Sequence, residues 1–364
     1  MRILVYAAHP AQYHFFKYII KGLQDNGHNI LLLIKTKDVL EKLANQDGFP
    51  YINIQPKVRK NNTLSILLAS FIRTWKIFKI VKLHKIDMLI GTDSSIAQVG
   101  YLTRKYAITT LEDDYDVIKK LANLTYPYTQ TILVPDVCKV EKWEFKKVGY
   151  NGYMKLAYLH PNRFTPNEDL KNISIQSDKY CLIRLAQLTA HHDAGIRGLD
   201  VDLVKKLIKK IENKGYQVFI STEGEIAPEL SVYQLKVNYN QIHHVLAFAS
   251  LLISDSQSMS VEAAMLGVPS IRFSDFAGRI SVLEELEKKY QLTFGIAVAN
   301  VELLLNTIDQ LCAIKDIKEV FNERRMMMLK DKIDVTAFFT WFIENYPESV
   351  KVMKENPYYQ YKFK

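Results

Sequence analysis

Two rhythms of apolar positions alternate along this chain. Short continuous apolar runs, the pattern of buried strands, are separated by stretches whose apolar residues recur three and four positions apart, the pattern of helices packed on one face. In the first half the strand pattern falls on Ile3–Ala8, Ile30–Ile34, Tyr51–Ile54, Met88–Gly91, Ala107–Leu111 and Thr131–Val134, with helical stretches over Gln12–Asn26 and Asp38–Asn45. The rhythm stops between about Cys138 and Asp178, a stretch that holds Gly149, Gly152, Pro161 and Pro166, which predicts a connection between domains. It resumes with strands expected at Tyr180–Leu185, Gln217–Ser221, Leu235–Asn238, Leu251–Ser254, Ser270–Phe273 and Gly295–Val298. Helices are expected at Lys205–Asn213, Gln241–Ala249, Val261–Leu266, Ile280–Lys288 and Val301–Leu311, and the tail from Asp316 is helical and charged. No repeat with a period of about 20–50 residues is visible beyond this alternation.

Strands that alternate with helices imply right-handed crossovers and mainly parallel sheets. The expected fold class is therefore α/β, with two Rossmann-like doubly wound domains in tandem that face each other across a cleft. The chain's 364 residues suffice for two such domains. Ligands of such sheets sit outside the carboxyl ends of the strands. The loops after strands are therefore where chemistry is expected. They carry His9, then Asp93, then Glu112, Asp113 and Asp114 in the first half, and His191, His192 and Asp193, then Glu223 and Glu225, in the second.

The turn Ser254-Asp255-Ser256-Gln257-Ser258, between an apolar run and a helix, is the most informative of these loops. The first amides of a helix lack helical acceptors, so a helix start ringed by hydroxyls suits a phosphate. Glu262 follows about one turn later. Helical side chains lean toward the N-terminus, which brings its carboxylate over the same spot, where it suits the hydroxyls of a ribose. Ser256, Gln257, Ser258 and Glu262 together point to a nucleotide diphosphate. Ordinary capping explains the Ser and Asp residues as well. A capping box, however, needs its acid three residues after the cap, and Met259 and Val261 stand there.

Composition adds two points. Cys138, Cys181 and Cys312 are scattered without metal-ligand spacing, no signal peptide is recognisable, and no apolar run approaches the ~20 residues of a membrane span; a reducing cytoplasm is expected. The net charge is +9, and it is uneven: between Lys57 and Ile86 there are eight Lys or Arg residues and no acid. Residues 57–86 therefore predict a basic amphipathic helix, capped by Asn62 or Thr63. Its polar face is either a solvated lysine face or a patch that rests on an anionic membrane surface, and the two are compatible. Nucleic acid is not expected, because aromatic residues do not alternate with the basic ones on a strand platform.

The opening HPAQYHFFKYII (His9–Ile20), the block GYMKLAYLHPNRFTPN (Gly152–Asn167) and the block RLAQLTAHHDAGIRGL (Arg184–Leu199) resemble a GT-B-like family of unknown function found in microbial surface-polysaccharide contexts. The resemblance spans nearly the whole chain. It implies the GT-B architecture: residues 1–165 as an acceptor-side domain, 166–335 as a nucleotide-sugar domain, and 336–364 as a helix, Thr336–Tyr346, crossing back to the first domain. More distantly the chain resembles UDP-N-acetylglucosamine 2-epimerases. Their nucleotide block is similar to Ser254–Pro269 with Glu262 at the ribose, and their catalytic carboxylates correspond to Asp93 and Glu112. Their His-Arg motif corresponds to the region of LTAHHDAG, where this chain has His191-His192-Asp193 instead.

The candidate residues each carry two readings. His9, in a turn without the glycine fingerprint of a dinucleotide cofactor, is a general base toward an acceptor hydroxyl or a loop histidine bonded to backbone. His14 is substrate-contacting or structural. Glu112, Asp113 and Asp114 offer a base and its orienting partner, or a helix cap; Asp93 offers the same pair of readings. Arg184, inside an apolar strand, suits a phosphate or an ion pair. His191, His192 and Asp193 are adjacent and do not make a tetrahedral zinc shell, so no metal is expected and they fall to donor contacts. His243 and His244 are expected one packed and one exposed; Arg272 and Arg279 touch substrate or flank a helix.

The expected function is a metal-independent, cofactor-free GT-B glycosyltransferase at the inner face of the cell membrane. The donor is a nucleotide-diphosphate sugar, with UDP the expected nucleotide, held by Arg184, Asp193, Ser256, Gln257, Ser258 and Glu262. The acceptor is a glycan or lipid-linked sugar met by His14 and Asp113, with the base drawn from His9 and Asp114. The alternatives are a nucleotide-sugar 2-epimerase using Asp93, Glu112 and His192, and a non-catalytic nucleotide- or sugar-binding protein.

Overall fold

The computed structural model describes residues 1–37, 39–55, 63–185, 198–222 and 224–364; the side chains of 63–67 lie outside that description. The chain forms two compact units, Met1–Arg163 with Lys332–Lys364, and Phe164–Asp331. The first unit begins β1 (Arg2–Ala7), α1 (Pro10–Asp25), β2 (Asn29–Lys35), α2 (Leu40–Gln46), β3 (Tyr51–Gln55) and α3 (Thr63–Leu83). It continues β4 (Met88–Gly91), α4 (Ser94–Thr103), β5 (Tyr106–Thr110), α5 (Lys119–Thr125), β6 (Thr131–Pro135), β7 (Lys147–Tyr150) and α6 (Leu156–Leu159). The second unit begins α7 (Glu168–Asn172), β8 (Tyr180–Leu185), α8 (Val201–Glu212), β9 (Gln217–Thr222), α9 (Ile242–Ala247) and β10 (Leu251–Ser254). It ends α10 (Gln257–Leu266), β11 (Ser270–Phe273), α11 (Ser281–Lys288), β12 (Thr293–Ile296), α12 (Val301–Ala313) and α13 (Ile317–Asp331). The chain then returns to the first unit with α14 (Val335–Glu344) and α15 (Glu348–Glu355).

Both sheets are parallel throughout. The first has the order β3-β2-β1-β4-β5-β6-β7 and the second β12-β11-β10-β8-β9. Strand order therefore reverses between β1 and β4 in one sheet and between β8 and β10 in the other. Such switch points leave a crevice at the carboxyl ends of the strands. Part of the first unit's core is built by Leu4, Tyr6, Leu33 and Leu89 of the sheet against Ile77 and Val81 of α3 and Ile96 and Val99 of α4. On the returning segment, Asp334 caps α14 by accepting from the Ala337 amide at 3.0 Å. The helix buries Phe338, Phe339, Phe342 and Ile343, with Phe339 edge-on to Phe15 of α1 at 5.0 Å. Each of these side chains contributes on the order of 1.5–3 kcal/mol through burial, which is what fixes the last helix to the first unit.

Four expectations are corrected. The stretch expected as a connection contains β7, where Val148 and Tyr150 are buried in alternation and pair in parallel with β6. Its signal is masked by Gly149, which admits Asp136: a Cβ there would lie against the Asp136 carboxylate. Leu235–Asn238 is not a strand; one bridge joins Gln234 to Ile220 of the edge strand β9, and a turn closes at Asn238–Gln241. β12 begins and ends two residues early, because the turn Ala297–Asn300 leads into α12. Finally, α10 starts at Gln257 rather than Val261, because Ser256 caps it.

Candidate functional site

Parallel register lays one row of residues across the carboxyl edge of the second sheet: Ser221, Arg184, Ser254, Arg272 and Gly295. Laterally paired residues of a sheet share a face. Two arginines therefore flank Ser254 at the switch point, one on each neighbouring strand. The chain leaves Ser254 through a tight turn in which the Ser254 hydroxyl accepts from the Ser256 amide at 2.8 Å. Ser256 then caps α10, its hydroxyl accepting from the Met259 amide at 3.4 Å. The amides of Gln257 and Ser258 fall in the first turn, beyond the reach of helical carbonyls. Ser256, Gln257 and Ser258 are half-buried at this edge.

Arg272 is fully buried and holds the turn from below. Its Nη1 donates to Gln257 Oε1 at 3.1 Å and its Nη2 to Glu287 Oε2 of α11 at 3.0 Å. Burial lowers its affinity for the proton, and the Glu287 carboxylate works against that. The same Glu287 oxygen accepts from the Gly295 amide at 3.0 Å. Gly295 leaves room for this pair: a Cβ there would stand 2.7 Å from Arg272 Nη2, so a larger residue would displace the guanidinium. Arg184 donates from Nη1 to Ser221 at 2.7 Å. Buried Asp255 accepts from the Leu199 amide at 3.4 Å, over Gly198, where a Cβ would come within 2.6 Å of its carboxylate.

Glu262 lies in the second turn of α10, with Oε1 3.5 Å from Nε2 of buried His243 on α9. The neighbouring His244 accepts from the Asn167 amide at 3.0 Å and lies against the Phe164 ring at 4.7 Å. Burial, with His243 beside it, lowers the His244 pKa. Sequence reasoning did not foresee His243 as a partner of Glu262, or Glu287 as the partner of Arg272. The only sequence signal for either was a polar residue inside a helix.

In the first unit the predicted residues follow three neighbouring strands, β1, β4 and β5. His9 caps α1: it is exposed, and its Nδ1 accepts from the Ala11 amide at 3.3 Å. His14 is half-buried on α1 and stacks on Tyr158 at 5.3 Å. Asp93, after β4, caps α4 through the Ser95 amide at 2.9 Å and pairs with Arg73 Nε at 3.2 Å. Beside this pair the Tyr6 hydroxyl is buried without a hydrogen-bond partner among the described residues. Burial pushes the Tyr6 phenol far up, the Asp93 carboxylate adds to that, and Arg73 opposes it.

After β5, both oxygens of Glu112 are engaged: Oε1 accepts from the Met154 amide at 2.7 Å and Oε2 pairs with Lys155. Asp114 is buried and accepts from the Lys139 amide at 2.8 Å, while Asp113 is half-buried. Structurally, then, Asp93 and Asp114 serve as caps and loop ties, and Glu112 as one half of a fixed pair. His191, His192, Asp193 and Glu223 lie outside the described residues. Among the described residues no three acidic, His or Cys side chains are grouped to hold a metal ion.

Two cavities lie at the opposite, amino ends of the strands. One of about 460 Å³ is bounded by Thr131 and Tyr346, and one of about 410 Å³ by Lys179, Tyr216 and Cys312. Neither contains the residues above, and the convergence of polar groups at the carboxyl edges is the better guide to chemistry.

No family model matches the sequence, and no curated protein matches it. Solved structures do. A protein described as a UDP-N-acetylglucosamine 2-epimerase from Listeria monocytogenes is 12% identical, with 97% of this chain and 96% of that chain covered and a TM-score of 0.67. The spinosyn rhamnosyltransferase SpnG, solved with spinosyn aglycone, is 12% identical over 95% of this chain and 100% of that chain, with a TM-score of 0.63. The UDP-GlcNAc 2-epimerase of Methanocaldococcus jannaschii, solved with UDP-GlcNAc and UDP, is 14% identical over 90% and 99%, with a TM-score of 0.61. At such identities the likeness is one of fold: two parallel-sheet, Rossmann-like α/β domains as in GT-B proteins.

Proposed function

We propose that this chain is a GT-B nucleotide-sugar enzyme that transfers a sugar from a nucleotide diphosphate, UDP foremost, to a glycan or lipid-linked acceptor. The observation that carries this reading is the opening of α10 at the switch point of the second sheet, flanked by Arg184 and by the Arg272-held Gln257. Amides aimed at a diphosphate and a nearby guanidinium stabilise the negative charge that builds on the leaving group. Arg184, which stands beside Ser254 in the strand register and donates to Ser221, would give its guanidinium to that phosphate. Glu262 would take the ribose hydroxyls in exchange for, or together with, His243. The first unit would supply the acceptor contacts, His14 and Asp113 among them, and His9 as the group next to the acceptor hydroxyl.

The fold neighbours include both epimerases and glycosyltransferases, and one observation bears on the choice. Asp93 and Glu112, the pair an epimerase reading needs, are each already bound to a cation, Arg73 and Lys155. That favours transfer. A thermal-shift panel of UDP, GDP, CDP and TDP tests the site, because a bound ligand raises the unfolding temperature. UDP is expected to give the largest rise. UDP-N-acetylglucosamine supplied alone is expected to stay unchanged until an acceptor is added. Epimerisation of the lone sugar nucleotide would replace this reading with the epimerase, and no response to any nucleotide would remove both.

A further inference from the structure

The basic helix α3 was expected to have one buried apolar face and a lysine face that is solvated, rests on an anionic membrane surface, or both. It has two apolar faces. One is committed to the core: Ile77 and Val81 are buried, and Arg73, on the same side, is buried against Ser95 and Asp93. The other is exposed. Leu68 is 61% exposed, Phe71 71%, Ile72 45% and Trp75 53%. Their spacing of three and four residues places them on one stripe. The stripe continues in the same register through Lys79 and Lys82, both exposed, to Leu83, at 77%. It runs about 22 Å along the helix. The ammonium of Lys79 lies over the Trp75 ring at 5.2 Å and that of Lys82 over Phe78 at 5.8 Å, with the two rings stacked at 5.9 Å.

We propose that this stripe of α3 is a docking surface for an anionic lipid bilayer. Large apolar side chains grouped in water are unfavourable unless something covers them. What covers these must also accept Lys79 and Lys82, with Lys76 and Lys85 exposed nearby. A bilayer with acidic headgroups meets both demands: Leu68, Phe71, Ile72 and Trp75 enter the boundary of the acyl region while the lysines meet the phosphates. A second copy of the chain fits less well. A two-fold contact sets the stripe against itself, and no Asp or Glu lies between Lys57 and Ile86 to pair the buried lysines. No described helix is long and apolar enough to cross a membrane, which agrees with a helix lying flat on it. The proposal stands apart from the nucleotide-sugar reading, since lipid binding is measured without nucleotide.

The test is flotation of the full chain with phosphatidylcholine vesicles, with and without phosphatidylglycerol. Binding is expected only to the anionic vesicles, and raised salt is expected to weaken it. Each lysine near a charged surface is worth roughly fivefold in partition. Lys79→Gln with Lys82→Gln should therefore lower binding by about 30-fold. Phe71→Ser with Trp75→Ser should abolish stable binding while the variant still unfolds cooperatively, because both side chains are more than half exposed. Sedimentation velocity supplies the second readout. Equal binding by wild type and variants overturns the proposal. So does binding that ignores lipid charge. A dimer lost in the Phe71/Trp75 variant, with no vesicle binding by wild type, overturns it in favour of a second copy.

Discussion

Glu262 of α10 and His243 of α9 meet at 3.5 Å, Oε1 to Nε2, so the acid in the second turn of the candidate phosphate helix is joined to the neighbouring helix. This sets the first prediction. Glu262→Gln keeps the shape and removes the charge. If the carboxylate binds a ribose, UDP affinity should fall about tenfold or more, the worth of a charged hydrogen bond. Pyrophosphate, which has no ribose, should bind the variant and the wild type equally. Calorimetry with both ligands decides, and an unchanged UDP affinity would leave Glu262 with α9–α10 packing alone.

Arg272 depends on Glu287. Glu287→Ala leaves a guanidinium buried beside an apolar gap, and breaking such a pair costs about 3–5 kcal/mol. Glu287→Gln retains an acceptor for Arg272 and for the Gly295 amide and should cost less. Urea unfolding measures both. A loss below about 1 kcal/mol for the alanine variant would show that Arg272 is not held by this pair. Since Arg272 also grips Gln257, the alanine variant should weaken nucleotide binding in proportion.

His9 serves two readings that substitution separates. With Nδ1 accepting from the Ala11 amide, a neutral ring carries its proton on Nε2. Taking an acceptor's proton would then require Nδ1 to leave its cap bond. His9→Asn preserves a good helix cap and removes the imidazole. Stability should be unchanged while transfer falls by about 10²–10⁴, the usual worth of a general base. Full transfer activity in this variant would leave His9 as a cap and nothing more.

His244 is expected to make the second unit sensitive to acid. Burial and then His243 lower its pKa from the usual 6.5. The folded state binds this proton more weakly than the unfolded state. The His244 contribution is therefore whole above about pH 6.5 and is lost as pH falls below it. Protonation would also cost the bond in which the ring accepts from the Asn167 amide. His244→Gln should flatten this part of the profile when unfolding temperatures are compared from about pH 8 to about pH 5. Parallel profiles would mean that the ring stays solvated.

The sequence was enough for much of the fold and for the local geometry of one turn. The strands Met88–Gly91, Leu251–Ser254 and Ser270–Phe273 and the helix Val301–Ala313 stand where apolar periodicity places them, because burial of one face is a local demand on the chain. The turn at Ser256 was legible for the same reason: capping chemistry is written in consecutive residues. The partners in the site were not. Glu262 with His243, Arg272 with Glu287, and Asp93 with Arg73 come from different elements, and only strand order and register bring them together.

α3 shows the same division. Its sequence alone made it helical, apolar and basic. Which apolar face went into the core and which remained in solvent was decided by the sheet and α4, against which Ile77 and Val81 pack. Periodicity fixes that a helix has a face to bury. It cannot specify which of two apolar faces meets a neighbour, because that depends on residues distant in the chain.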